Sequence, residues 1–144
     1  MNVYVFGKLQ KWETVQAIQA AMREKGHHIT YDWTLAAAFY EQYPEKMNEA
    51  LRREQSVSCM NGIMASDAVV GYVTEDLKYQ GSFVEMGIAL IAEKPVVLIG
   101  HAMDSCIFTS LVEKVDKVSE ALCLLDQMEA ESDRRERCTC NKAA

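Results

Sequence analysis

The chain has 144 residues, and 15 Lys and Arg stand against 21 Asp and Glu, which gives a formal net charge of −6 at pH 7. This length suits one domain, and 49% hydrophobic with 25% charged residues is typical of a globular protein. The acidic balance argues against a nucleic-acid-coating protein, and no apolar run approaches the ~20 residues of a membrane span. The first residues, MNVYVFG, lack the charged start and cleavage site of a secretory signal. We therefore expect a cytoplasmic protein that binds neither nucleic acid nor membranes.

The five cysteines argue for a reducing compartment and against a disulfide framework, because their number is odd and no export signal is present. Cys138 and Cys140 form a C-x-C pair near the end of the chain. A zinc site needs about four ligands at suitable spacing, and no second pair accompanies them. We therefore expect no metal. Cys123 lies in the apolar stretch ALCLL and is expected to be a buried thiol.

Strand and helix patterns alternate along the chain. Strands are predicted at residues 3–6, 28–31, 68–73 and 95–100 and around residue 115, and helices at 12–25, 34–43, 45–64, 82–93 and 119–131. Such alternation is typical of a parallel sheet with right-handed crossovers. We predict one α/β domain over residues 1–132, flavodoxin-like or Rossmann-like, with about five parallel strands between helices. A polar tail over residues 133–144 is expected to be flexible.

Ligands of open parallel sheets bind beyond the carboxyl ends of the strands. The candidate site therefore involves residues 7–11, 32–34, 74–85 and 100–106. These loops contain no G-x-G-x-x-G, no P-loop and no G-x-S-x-G elbow, and they lack the acids of a response-regulator receiver. The sequence therefore favours none of these activities.

One carboxylate stands out, that of Glu85 in GSFVEMGIA (81–89), near the start of a helix that follows a strand-end loop. A helix N-terminus favours the ionised form of an acid. An ionised, oriented carboxylate can attack an anomeric carbon, as in retaining glycosidases. Taken alone, the residue fits a solvated glutamate at a helix start better than a nucleophile.

Three segments together resemble the nucleoside 2-deoxyribosyltransferase family: SDAVV (66–70), GSFVEMGIA (81–89) and KPVV (94–97). The opening VYVFGK (3–8) and YDWT (31–34) are similar to the family's first two strand ends. The resemblance runs from about residue 1 to residue 128. The same superfamily contains nucleoside 5′-monophosphate N-glycosidases.

The resemblance implies that Glu85 is the catalytic glutamate. It implies cleavage of the N-glycosidic bond of a 2′-deoxynucleoside through a covalent deoxyribosyl ester, with retained configuration after attack by a second base or by water. It implies no metal or organic cofactor. It also implies a homo-oligomer in which a neighbouring subunit closes the site, and the apolar face of residues 45–64 is the expected contact.

Two positions depart from the family pattern. The family often has aspartates eight residues before the S-D aspartate and six before the nucleophile, where this chain has Cys59 and Tyr79. Both acids are associated with binding or protonating the base. The nearest acids that could take over this role are Asp32, Glu75 and Asp76. We expect Asp32 to do so, with its use as a turn or cap residue before a helix as the alternative. Tyr79 is expected to bond the sugar or Glu85.

The remaining candidate site residues are expected to bind substrate. Gly7 would let substrate approach the backbone, Lys8 would meet a 5′-phosphate, and Trp33 would stack on the base. Gly81 and Ser82 lie where the sugar hydroxyls are expected.

The first functional hypothesis is a transferase that moves deoxyribose between nucleobases in nucleoside salvage. The alternative is an N-glycosidase that hydrolyses a nucleoside or its 5′-monophosphate. A second alternative is a non-catalytic nucleotide-binding module. The sequence does not decide between them, nor does it give the base preference or the number of subunits.

Overall fold

A computed structural model describes residues 1–142, except for the side chains of residue 136 and residues 138–142. Strands and α-helices alternate along the described chain as β1 (Asn2–Gly7), α1 (Trp12–Glu24), β2 (His28–Ile29), α2 (Thr34–Gln42), α3 (Glu49–Ala65), β3 (Ala68–Tyr72), α4 (Gln80–Ile91), β4 (Val96–Ile99), β5 (Glu113–Val115) and α5 (Val118–Lys142). Short 3-10 turns occupy Leu9–Lys11, Pro44–Lys46 and Ile107–Leu111.

The strands form one parallel sheet in the order β2-β1-β3-β4-β5. This is the flavodoxin-like order, so the predicted α/β fold is confirmed. The chain adds β2 on one side of β1 and then crosses to add β3 on the other side. That change of direction opens a crevice beyond the carboxyl end of β1, which is where the sequence predicts the site.

Alternating side chains of β1 point to two separate cores, one on each face of the sheet. Val3 and Val5 pack with residues of α1 and α5. Tyr4 and Phe6 point the other way and pack with residues of α3 and α4. Every one of these four side chains is fully buried. Of these four, the odd-numbered residues therefore contact α1 and α5, and the even-numbered residues contact α3 and α4.

The last helix is longer than predicted. It was expected to end near residue 131, but α5 continues to Lys142. No Gly or Pro interrupts residues 118–142, and Glu and Arg in this stretch are good helix formers. The flexibility of the tail stays a prediction, and the side chains of Cys138 and Cys140 lie outside the described residues. Cys123 is exposed rather than buried.

Within the described residues, no helix has both the length and the apolar character needed to cross a membrane.

Candidate active site

A cavity of about 510 Å³ lies beyond the carboxyl end of β1. Its walls come from the loop after β1, from the segment that leads into α2, and from α2, α3 and the first half of α4. All of these meet at the crevice produced by the strand order. The cavity is therefore at the position where a parallel sheet of this type binds its ligand.

Glu85 lines this cavity and is held from the sheet side by Tyr4. The hydroxyl of Tyr4 donates a hydrogen bond to Oε1 of Glu85 at 2.6 Å. Tyr4 is fully buried in β1, whereas Glu85 is partly exposed and lies on α4. The bond fixes one carboxylate oxygen, so the orientation of the carboxylate is set by Tyr4 and the core strand β1.

Burial raises the pKa of Glu85 from 4.5 to about 7, and the hydrogen bond from Tyr4 opposes that rise. The helix start predicts the opposite, a carboxylate held in its ionised form. The structure corrects the expectation of an ionised carboxylate. The free N–H groups of a helix belong to its first turn, and Glu85 lies beyond that turn because α4 begins at Gln80. Burial, then the nearby Glu85, raises the pKa of Tyr4 well above its usual range, so Tyr4 keeps its proton.

Cys59 and Tyr79 both line the cavity, so the two positions that lack an acid are part of the site. Burial raises the pKa of the Cys59 thiol, which therefore stays neutral. The hydroxyl of Tyr79 donates to the backbone carbonyl of Glu75 at 2.8 Å. The bond to Glu85 that we expected from Tyr79 is made instead by Tyr4.

The structure does not bring Asp32 to the cavity. Its Oδ2 accepts a bond from Nη2 of Arg23 at 2.8 Å, and its Oδ1 accepts from the backbone N–H of Thr34 at 3.2 Å. Asp32 thus caps the start of α2 and links it to α1, which is the alternative use of this residue. Asp32 therefore does not point into the crevice as we expected, because its carboxylate accepts a hydrogen bond from the backbone N–H of Thr34, two residues on.

Glu85 is the only carboxylate among the described residues that line the cavity. Glu75, another candidate acid, forms an ion pair with Lys11 and is not in the lining. The described residues also contain no group of three or more His, Cys, Asp or Glu that could hold a metal ion. The site therefore presents one acid, surrounded by neutral groups and lysines.

The five residues predicted to bind substrate, namely Gly7, Lys8, Trp33, Gly81 and Ser82, all line the cavity. Three of them also have structural roles. A Cβ on Gly7 would lie 2.7 Å from Cγ2 of Val15, so this glycine lets α1 pack against β1. The indole N–H of Trp33 donates to the carbonyl of Val5 at 2.8 Å, and the Lys8 ammonium donates to the carbonyl of Lys78.

Sequence reasoning missed Tyr4 as a site residue. The available signal was a hydroxyl inside the apolar run VYVF, because a buried tyrosine hydroxyl needs a polar partner. Tyr40 of α2 and Gln55 of α3 also line the cavity and were missed. Their helices lie outside the strand-end loops to which the site was assigned.

No family model matches the chain, and no curated protein is significantly similar to it. Among solved structures, the chain is similar to a 2-deoxyribosyltransferase from Bacillus psychrosaccharolyticus, with 16% identity, a TM-score of 0.60, and 85% of this chain and 90% of that chain covered. It is also similar to a CMP N-glycosidase from Clostridium botulinum, with 15% identity, a TM-score of 0.52, and 88% and 99% covered. At these identities the comparisons show that the fold is shared.

The raised pKa of Glu85 predicts a specific pH dependence of stability. Between pH 4.5 and about 7 the folded protein keeps a proton that the unfolded chain has lost. Stability is therefore fully present below this window and falls as the pH rises through it, by up to about 3 kcal/mol. Glu85→Gln removes this dependence. Urea unfolding at pH 5 and pH 8 should show a larger loss in the wild type than in the variant, and equal losses would contradict the assignment.

Proposed function

We propose that this protein is a nucleoside 2-deoxyribosyltransferase. It cleaves the N-glycosidic bond of a 2′-deoxynucleoside, holds the sugar on Glu85 and passes it to another nucleobase. The observation that carries this proposal is the carboxylate of Glu85, which stands in the strand-end cavity with one oxygen fixed by Tyr4 at 2.6 Å. Support also comes from the fold shared with a 2-deoxyribosyltransferase.

The geometry suits a double displacement. Tyr4 occupies Oε1 of Glu85, which leaves Oε2 as the nucleophile toward C1′ of the sugar. The C1′–Oε2 bond forms as the bond between C1′ and the base breaks, and the incoming base then attacks C1′ from the vacated side. Two inversions retain the configuration. Gly81 and Ser82 contact the sugar in this scheme, and Trp33 contacts the base.

Hydrolysis is the alternative, with water in place of the second base. Two lysines favour it, because Lys8 and Lys78 line the cavity and offer cations to a 5′-phosphate. The fold is also shared with a CMP N-glycosidase. Both reactions use the same ester on Glu85 and differ only in the acceptor.

An exchange assay separates the two reactions. The purified protein is incubated with 2′-deoxyinosine, with and without cytosine, and the products are separated by chromatography. We expect deoxycytidine only when cytosine is present, and we expect Glu85→Gln to lower the rate by about 10³-fold or more because it removes the nucleophile.

Glu24→Gln, a change of the same chemistry on the exposed end of α1, is the matched control and should leave the rate unchanged. Release of hypoxanthine without exchange would favour the hydrolase. Absence of turnover across a panel of nucleosides and 5′-monophosphates would contradict both reactions and leave a nucleotide-binding module.

We also propose that a second copy of the chain packs on α3 and closes the cavity. Val57, Met60 and Met64 of α3 are 46%, 49% and 56% exposed, and Met60 also lines the cavity. Val84 of α4, 62% exposed, extends the apolar patch beside Glu85. A partner seated here would exclude water from the reacting sugar.

Sedimentation velocity tests this assembly. We expect the wild type to sediment as a dimer or a larger oligomer, and Met64→Lys to shift it toward the monomer by placing a charge in the contact. Ile107→Lys, at an apolar side chain that is 80% exposed in the turn before β5, is the control and should not change the sedimentation. A monomeric wild type at micromolar concentration would contradict the proposal.

A further inference from the structure

We propose that the preferred substrates are nucleosides whose base carries a positive charge, such as N-glycosylated pyridinium or N7-alkylated purine nucleosides. This inference rests on the proposed function and adds a substrate class to it. Its basis is the chemical composition of the cavity, whose described lining contains the carboxyl group of Glu85 but no second carboxylic acid to protonate a departing base.

The electron balance of the first step explains why a site without a second carboxylic acid favours a cationic base. As Oε2 of Glu85 bonds to C1′, the electron pair of the C1′–N bond moves onto the nitrogen of the base. A neutral base thereby becomes an anion and needs a proton to leave readily. A cationic base becomes neutral and needs none. An active site without a second carboxylic acid as proton donor is therefore suited to the cationic class.

The cavity has no carboxylate besides Glu85 among its described residues. Two nearby acids have other partners outside it, since Asp32 pairs with Arg23 at 2.8 Å and Glu75 pairs with Lys11. To bring Asp32 or Glu75 into the site, these contacts would have to break and the backbone segment that carries the residue would have to move. Asp76 is exposed and is not in the lining.

The remaining acidic protons in the site are held by weak acids. Tyr4 donates its proton to Glu85, and Tyr79 donates its proton to the backbone carbonyl of Glu75. Burial raises the pKa of Tyr4, Tyr79 and Cys59 alike, so each of them gives up a proton less readily than in water. The Lys8 ammonium is bonded to the carbonyl of Lys78.

The walls of the cavity carry groups that act on a cation in both directions. The aromatic side chains of Trp33, Tyr40 and Tyr79 line it, and the faces of such rings attract positive charge, whereas Lys8 and Lys78 in the same lining repel it. Glu85 supplies the opposite charge. A cationic base beside Glu85 would lower the raised pKa of that carboxyl and so ionise the nucleophile that attacks it.

The first test compares 2′-deoxyinosine with its N7-methylated cation on the full-length protein. Because the cation also hydrolyses faster without enzyme, the quantity compared is kcat/KM divided by the uncatalysed rate constant at the same pH. A site that lacks a general acid gives both substrates a similar enhancement, so kcat/KM itself should be higher for the cation by about the ratio of the uncatalysed rate constants. A general acid contributes about 10²–10⁴-fold to the neutral substrate alone, so an enhancement of the neutral nucleoside that exceeds that of the cation by about 10²-fold or more would overturn the inference.

The second test supplies the missing acid. Cys59→Asp should raise the ratio of kcat/KM for 2′-deoxyinosine to kcat/KM for the N7-methylated substrate by about tenfold or more. Cys59→Asn, which has the same shape but no ionisable proton, should not raise this ratio. A Cys59→Asp variant that folds and accelerates both substrates equally, or neither, would overturn the inference.

The outcomes also separate this inference from the proposed function. Turnover in which the neutral nucleoside has the larger enhancement by about 10²-fold or more, lost in Glu85→Gln, would overturn the substrate class and leave the transferase proposal standing. Absence of turnover of either substrate by the wild type would overturn both. If Cys59→Asp does not fold, the comparison of enhancements in the wild type decides alone.

Discussion

The hydrogen bond from Tyr4 to Glu85 connects the centre of the sheet to the candidate nucleophile, and the packing around it keeps both groups in place. Tyr4 is fully buried in β1, which has a parallel strand on each side. Residue 71 of the adjacent strand is glycine, which leaves room for the ring of Phe6, because a Cβ there would lie 2.4 Å from that ring. On the other side, Met86 anchors α4 to the same core and so sets the height of Glu85 above the sheet. A small shift of α4 would break the 2.6 Å contact, so the site depends on the packing of this face.

The same burial has an electrostatic consequence. A carboxylate over an apolar sheet loses hydration, and the pKa of Glu85 rises to about 7. Tyr4 recovers part of that loss by donating to the charged form. A partly desolvated carboxylate is a stronger nucleophile than a fully hydrated one, provided that it is ionised when substrate is bound. A substrate that brings its own positive charge meets this condition, which connects the electrostatics of Glu85 to the inference about cationic bases.

Much of the fold follows from the sequence, whereas only part of the site does. The apolar runs 68–73 and 95–100 and the helices between strands predict the parallel sheet, and Glu85 is found because its helix follows a strand end. Strand-end position does not say which way a side chain faces. Asp32 ends a strand but turns to cap α2, since Thr34 and Arg23 offer nearer partners than the crevice. To predict Tyr4 as a site residue, one must know that α4 packs on the face of β1 to which Tyr4 points. This packing is a tertiary contact that the local sequence does not give. The polar stretch after residue 131 is helical because nothing in it stops α5.

Mass spectrometry of rapidly quenched reactions tests directly whether Glu85 forms a covalent bond with the sugar. The protein is mixed with a 2′-deoxynucleoside in the absence of an acceptor base, quenched in acid and digested for peptide mapping. We expect an added deoxyribosyl mass on the peptide that contains Glu85, with the same peptide unmodified in Glu85→Gln. Turnover of the nucleoside without any such adduct, or an adduct on another residue, would contradict it.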